Sequence, residues 1–361
     1  MTKKIRILCL DGGGIRGIIP ATVMEYVEHE LKKRTNNQQA RIADYFDMIV
    51  GTSTGGILAC YYLFPNPKKD DLNEPTSLYE ASEALDLYAK LGPKIFTESK
   101  RFGWFGLRQL FNATMFSSSN IETIFKEEFG DVYMDDLVKK CVITTYNMDK
   151  QRSFFFDSRD EKKGRKFLIR DVARSTSAAP TYFPSAIIKN YGDDTKMVNI
   201  DGGVFANNPA MCAYAEARNT NFQDIGKENF PSAKDMLILS IGTGAQNLNL
   251  NNYQQSNKWG IIKWAKAIPD IMMDGSADTV NYQAKLLFET LEGEDKKNYK
   301  RVDVPSANRN ENMYSTDMSD ASQENIENLK RAGKLALEQA QVEKKNEFTL
   351  DEFIDQLINH G

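Results

Sequence analysis

The chain has 361 residues, 41% of them hydrophobic, with 46 basic and 50 acidic residues and a formal charge of -4. That is enough apolar material for one large α/β domain or two smaller ones, and it excludes disorder as the default state. The charges are mixed along the chain, so there is no basic field to attract nucleic acid, which is not expected as a partner.

Lys4 to Leu10 reads as a short buried strand that stops at Asp11-Gly12-Gly13-Gly14-Ile15-Arg16-Gly17. A helix starts near Pro20, a residue tolerated in the first turn, and Val23, Val27 and Leu31 recur at helical spacing through to Arg34. The same order then repeats: an apolar run from Phe46 to Val50, the turn Gly51-Thr52-Ser53-Thr54-Gly55, and a helix from Gly56 to Phe64. Two successive βα units predict a largely parallel sheet. Residues 65 to 77 form a proline-rich surface loop before a helix from Leu78 to about Leu91. The aromatic stretch after it, with Phe96, Phe102, Gly103-Trp104-Phe105-Gly106, Phe111 and Phe116, is assigned to packing ahead of a lipid groove.

Ser119 to Glu122 has the spacing of a capping box and opens a helix to Phe129. Val142 to Tyr146 and Ser153 to Phe156 are read as paired strands, and a charged loop, Arg159 to Arg165, leads to a short helix from Asp171 to Ser177. Met197 to Ile200 is a strand ending at Asp201-Gly202-Gly203, after which Asn208 caps a helix with Pro209 in its first turn. Met236 to Ile241 is a further buried strand ending in Gly242-Thr243-Gly244. The loop Gln246 to Asn257 precedes an amphipathic stretch, Trp259 to Met273, that Pro269 is expected to break, and Lys300 to Val304 makes a last short strand. Helices over Ser322 to Glu343 and Leu350 to Asn359 close the chain, the second opened by the capping box Thr349 to Glu352. No repeat or linker divides these elements, so a single domain is expected over 1–361, with a catalytic core over about 5–245 and a helical C-terminal part over about 258–361.

Cys9, Cys60, Cys141 and Cys212 lie far apart in apolar runs and read as buried thiols of a reducing compartment, not as a disulfide framework or a C-x-x-C metal site. The first residues lead straight into a strand with no signal peptide, and no apolar run reaches the roughly 18 residues a membrane span needs. A cytoplasmic location is expected.

Small residues flank Ser53 because a chain reversing this sharply brings strand and helix backbones together, and the spacing is that of the G-x-S-x-G nucleophile elbow. A plain strand-to-helix turn shows the same pattern. An attacking serine needs a base and donors for the oxyanion. The two histidines, His29 inside the first helix and His360 beside the last residue, stand at no strand end where a triad histidine belongs. A carboxylate at a strand end is the next candidate, and Asp201 fits. An aspartate with a pKa near 3.9 is a poor base unless burial raises it, and the same pattern suits a turn aspartate. The glycines of Asp11 to Gly17 can aim several amides at one anion, an oxyanion or a phosphate. Gly12, Gly14 and Gly17 also satisfy G-x-G-x-x-G, but dinucleotide binding expects an acidic residue closing the second strand, where this chain has the Ser53 turn.

Asp-Gly-Gly-Gly-Ile-Arg-Gly at 11 to 17, Gly-Thr-Ser-Thr-Gly at 51 to 55 and Asp-Gly-Gly at 201 to 203, in this order, resemble the three signatures of the patatin-like phospholipase family. The likeness continues through Ala-Asp-Tyr-Phe-Asp at 43 to 47, Ser-Thr-Ser-Ala-Ala-Pro-Thr-Tyr-Phe-Pro at 175 to 184 and Leu-Ser-Ile-Gly-Thr-Gly at 239 to 244. The resemblance implies a three-layer α/β/α fold with a mainly parallel central sheet. It implies lipid acyl hydrolysis of the phospholipase A or lysophospholipase type by a Ser53–Asp201 dyad, with the Gly12, Gly13 and Gly14 amides as oxyanion hole and Gly17, Gly51, Gly55, Gly202 and Gly203 as motif glycines. No histidine, metal or cofactor takes part. The implied partner is membrane phospholipid, met in transient peripheral contact at the inner face. Without a signal peptide the chain is similar to cytosolic bacterial members of the family, some of them anti-phage effectors switched on by cyclic nucleotides. No residue marks such an activator site, and a homo-oligomer is equally open. Two rival readings remain: a nucleotide-binding oxidoreductase using the glycine loop, and a catalytically silent binding protein of the same fold.

Overall fold

The computed structural model describes residues 3–67, 76–97, 114–159, 164–244, 253–305, 313–315 and 317–361. The first strand, β1 (Ile5–Leu10), is buried along its length, and one 3-10 turn at Gly14–Gly17 leads into α1 (Ile18–Thr35). Pro20 is therefore not at the first helical position but still in the first turn, where a missing N–H costs no intrahelical bond. A helical turn at Ile42–Tyr45 precedes β2 (Met48–Thr52), and α2 (Thr54–Tyr62) starts directly after Ser53. The next helices are α3 (Ala81–Ile95) and α4 (Ser118–Phe129). The cap of α4 is Ser117, whose hydroxyl oxygen accepts from the Ser119 amide at 3.3 Å, so the residues read as a capping box lie within the first turn. Three serines in a row compete for the free amides there, and the earliest takes that of Ser119.

Strands β3 (Lys140–Asn147) and β4 (Arg152–Asp157) form the expected antiparallel pair. They are followed by α5 (Ile169–Thr176), β5 (Ala186–Lys189), β6 (Lys196–Asp201) and α6 (Ala210–Arg218). The sequence pattern gave no sign of β5: it has only four residues, with Ala186 and Ile188 buried and Ile187 and Lys189 exposed, too short for alternation to register. Asn208 Oδ1 accepts from the Ala210 amide at 3.0 Å, with Pro209 between them. The remaining elements are β7 (Met236–Ile241), α7 (Ile261–Glu289), β8 (Tyr299–Val302), α8 (Gln323–Ala340) and α9 (Leu350–Asn359). Pro269 does not break α7, which runs through it for 29 residues. The proline deletes one intrahelical hydrogen bond, and buried Met273, Ala284 and Phe288 hold the helix in place beyond it.

The strands form one sheet in the order β5-β6-β3-β2-β1-β7-β8, with β4 on β3. The five strands from β3 to β8 in that order are parallel, and β4, β5 and β6 pair antiparallel. Side chains alternate across it. Leu8, Leu10 and Ile49 enter a core shared with Val23, Val27 and Leu31 of α1 and Leu329 of α8, whereas Ile5, Ile7, Cys9 and Val50 enter a second core with Ala213 of α6 and Phe288 of α7. Two cores on opposite faces of one sheet make the fold three-layered, α/β/α, with a mainly parallel central sheet. The C-terminal part is not purely helical: β8 extends the sheet and α8 lies on α1.

Register along β3 brings the ends of two other strands together. Pairing of β2 with β3 ends at Thr52 with Thr144, and β6 takes over the same edge of β3 from Asp201 with Thr145, because β4 occupies the other edge.

Candidate active site

Ser53 has φ 52° and ψ -121°, a left-handed backbone that a non-glycine residue seldom adopts. Glycines let the flanking backbones close around it: a Cβ on Gly51 would lie 2.4 Å from the Gly55 carbonyl oxygen, and one on Gly55 would lie 2.2 Å from that of Leu10. The Ser53 amide donates to Thr176 Oγ1 at 2.8 Å, whose hydroxyl donates to the Thr144 carbonyl at 2.7 Å. Thr52 Oγ1 is 2.8 Å from Thr144 Oγ1 and donates to the Ala206 carbonyl at 2.6 Å. With its backbone engaged, Ser53 presents only its hydroxyl, and Oγ donates to Asp201 Oδ2 at 2.6 Å.

Asp201 is the last residue of β6 and is 3% exposed. Its other oxygen, Oδ1, accepts from the Gly203 amide at 2.7 Å. Burial pushes its pKa up to about 7, against the opposing pull of the hydrogen bonds from Ser53 and Gly203. A carboxylate in that range, in contact with a hydroxyl, is suited to take its proton near neutral pH.

In the glycine loop the amides are divided. Gly12 donates to the Asn207 carbonyl at 3.0 Å and Ile15 to that of Met318 at 2.9 Å. Between them the Gly13 and Gly14 amides have no partner among the described residues. Gly14 has φ +59°, and a Cβ there would stand 2.4 Å from the Met318 carbonyl oxygen. Asp11, just before the loop, is clasped by Arg301 at 2.6 and 2.9 Å, and burial still raises its pKa to about 6 against that pairing. Arg16 is buried and turned onto the loop itself, its Nε donating to the Gly13 carbonyl at 3.2 Å and its Nη1 to that of Gly244 at 3.1 Å. Two free amides suit one oxygen. A dinucleotide pyrophosphate draws on the longer run of free amides at a helix N-terminus, and Gly12 and Ile15 have closed off both ends of this one.

Ser53 and Gly14 open onto a groove enclosing about 700 Å³, mouth included, with walls that include Ile57, Leu91, Ile95, Phe96, Phe125 and Phe183. Phe96 belongs to an aromatic cluster, its ring 5.6 Å from Phe116 and 6.0 Å from Phe183, so the packing assigned to this stretch also builds a groove wall. Residues Phe102 to Phe111 lie outside the described residues. His29 is exposed on α1, and His360 Nδ1 accepts from the Lys4 amide at 3.2 Å, at the other end of β1 and about 20 Å of strand away from the site. No cluster of three potential metal ligands occurs among the described residues.

A family model described as patatin-like phospholipase matches residues 8–214. The chain belongs to the patatin-like phospholipase family. It is similar to patatin-like protein 2 of Oryza sativa subsp. indica, 31% identical over 93% of this chain and 84% of the relative. Patatin-like protein 4 of Arabidopsis thaliana is 33% identical over 92% and 83%, and patatin group D-2 of Solanum tuberosum is 30% identical over 98% and 88%. These are plant proteins, and they lend nothing to a bacterial or cytosolic origin. The solved structure of human GIVD cytosolic phospholipase A2 overlaps 99% of this chain and 61% of its own at 9% identity and a TM-score of 0.41, too distant to carry an argument about chemistry. Within this patatin-like domain, sequence reasoning passed over Thr144 and Thr176 behind Ser53, Arg16 under the loop, and Thr243 and Arg301 beside it. The Gly-Thr-Gly turn that ends β7, two glycines around a hydroxyl, was the available signal for one of them.

The folded-state pKa of Asp201 lies above its unfolded value, so the folded protein retains a proton that the unfolded chain releases. Stability from this group is therefore present at low pH and is lost as pH rises through about 7. Asp201→Asn, neutral at all pH, is expected to melt above wild type at pH 8, with the gap narrowing toward pH 4. Thermal unfolding at the two pH values checks this, and equal transitions at pH 8 would contradict a desolvated carboxylate.

Proposed function

We propose that this chain is a lipid acyl hydrolase of the phospholipase A or lysophospholipase type, working through Ser53 and Asp201. The observation that carries the proposal is the 2.6 Å hydrogen bond from Ser53 Oγ to a buried carboxylate with a pKa of about 7, at the floor of an apolar groove. Membership of the patatin-like phospholipase family supports the substrate class.

Asp201 takes the Ser53 proton as Oγ attacks the acyl carbonyl carbon. The oxyanion that forms is met by the Gly13 and Gly14 amides, while Gly12, committed to Asn207, supports the loop. Protonated Asp201 then gives its proton to the departing alcohol and leaves an acyl-Ser53 ester. Water attacks that ester with Asp201 again as base, releasing fatty acid and restoring the serine. The apolar walls hold the acyl chain, and the headgroup stays toward the mouth. Contact with the bilayer is peripheral in this reading, and among the described residues no helix is long and apolar enough to cross a membrane. A silent binding protein would have no use for a strained serine held against a desolvated carboxylate, two features that each cost stability.

Ser53→Ala is expected to abolish fatty-acid release from phospholipid vesicles in a protein that remains folded, since the covalent path is lost with the hydroxyl. Retention of more than about 1% of the wild-type rate would move the nucleophile elsewhere. For wild type, kcat/KM should fall in a single step below about pH 7, where Asp201 is protonated, and level off above it. The double variant His29→Gln, His360→Gln is expected to match wild type. A Ser-His-Asp enzyme would lose several orders of magnitude, so a hundredfold loss in a folded double variant would restore a histidine base.

A further inference from the structure

The two free amides belong to the peptide planes Gly12–Gly13 and Gly13–Gly14. In a trans peptide the carbonyl and the N–H point in opposite directions, so whatever grips the carbonyl aims the amide. A plane between two glycines is not held by side-chain sterics, because each neighbour accepts either sign of φ. Such a plane keeps its direction only if something outside it holds the carbonyl.

The Gly13 carbonyl is gripped from within the loop, by the Arg16 amide at 3.2 Å and by Arg16 Nε at 3.2 Å. The Gly12 carbonyl is gripped from the turn that follows β7: Thr243 Oγ1, 3% exposed, donates to it at 2.6 Å. Thr243 itself sits on a fixed mount. The Gly242 amide donates to the Val302 carbonyl at 2.9 Å, the Gly244 amide to Asp303 Oδ1 at 3.0 Å, and the Gly244 carbonyl accepts from Arg16. Asp303 in turn pairs with Arg301, which clasps Asp11 at the start of the loop. The approach is tight, since a Cβ on Gly13 would lie 2.4 Å from Thr243 Oγ1.

We propose that Thr243 is a positioning residue of the oxyanion hole: its hydroxyl holds the Gly12 carbonyl so that the Gly13 amide stays aimed at the oxyanion. The inference rests on the hydrolase reading above. Thr243 touches no reacting atom and acts only through the Gly12–Gly13 plane. Loss of its proton donor should therefore cost turnover and leave ground-state binding alone. A misaimed oxyanion donor costs up to about 10²- to 10³-fold in rate, and a loosened one should cost part of that.

The test compares Thr243→Val, of the same shape without the donor, with Thr243→Ser, which keeps it. Steady-state hydrolysis of a short-chain p-nitrophenyl ester and thermal unfolding are measured for both. The expected result for Thr243→Val is a kcat lower by about 10- to 100-fold with KM within about twofold, and recovery in Thr243→Ser to within about threefold of wild type. Thr243→Ala gives the same comparison if the valine variant fails to fold. A kcat within twofold of wild type in a donor-less variant overturns the proposal, as does an equal loss in Thr243→Ser, which would assign the effect to packing. Failure of both donor-less variants to fold also overturns it, by making the residue structural. Absence of esterase activity in wild type, with no labelling of Ser53 by a fluorophosphonate, overturns the hydrolase reading and this inference with it.

Discussion

The site depends on β3 lending one edge to two strands. β2 runs parallel to β3 and gives up the edge at Thr144, and β6 runs antiparallel and arrives at Thr145 from the other direction. Two strands that run head to head along one edge bring their C-terminal ends together, and those ends carry Ser53 and Asp201. The parallel neighbours add theirs at the same level: β1 ends opposite Gly51 and Ile241, so the glycine loop emerges beside the serine and the Thr243 turn beside the loop. Open α/β sheets generally gather function at the C-terminal ends of their strands. Here an antiparallel strand brings the buried Asp201 carboxylate to that edge, which a wholly parallel sheet would not do.

Three buried aspartates show what sets Asp201 apart. All three lose solvent, which raises a carboxylate pKa, and they differ in what faces them. At Asp47 the burial effect is more than offset by Arg6 and Lys227, at 2.9 and 2.6 Å, and the pKa falls below its ordinary value. At Asp11 one shared guanidinium leaves it at about 6. Asp201 has only a hydroxyl and an amide for partners and reaches about 7. The gradient follows the number of facing cations, so the Asp201 pKa is raised by withholding a counter-ion.

Much of this was legible in the sequence because it is local. The glycine loop, the serine turn and Asp-Gly-Gly each carry their geometry in a few consecutive residues, and the βα order of the first 64 residues already implied a parallel sheet. What was not legible is non-local. Nothing in Met197 to Ile200 says which edge β6 will join, and nothing in the loop says that the Asn207 carbonyl, far along the chain, will claim the Gly12 amide and leave only two donors. Propensity misled at Pro269, where tertiary contacts carry a helix through a residue that alone would end it. At Ser117 the capping pattern was right in kind, but neighbouring serines offered a choice that spacing cannot resolve.

In the proposed hydrolase, the same withholding of cations bears on how the site would distinguish a transition state from a substrate. Among the described residues that line the groove none is charged, and the two cations at the loop are engaged elsewhere, Arg16 on the Gly13 and Gly244 carbonyls and Arg301 on Asp11 and Asp303. A full positive charge aimed at the reacting atoms would bind anions in the ground state and would pull the Asp201 pKa back down, weakening the proposed base. Neutral amide dipoles do neither. They interact weakly with an uncharged ester and strongly with the oxyanion that appears only as the bond forms, and such a difference in binding is what accelerates a reaction. Its size depends on how firmly the dipoles are held, because a donor that must reorient during the reaction gives back part of the gain. In the proposed mechanism the grip on the Gly12 and Gly13 carbonyls therefore matters as much to the chemistry as the amides themselves.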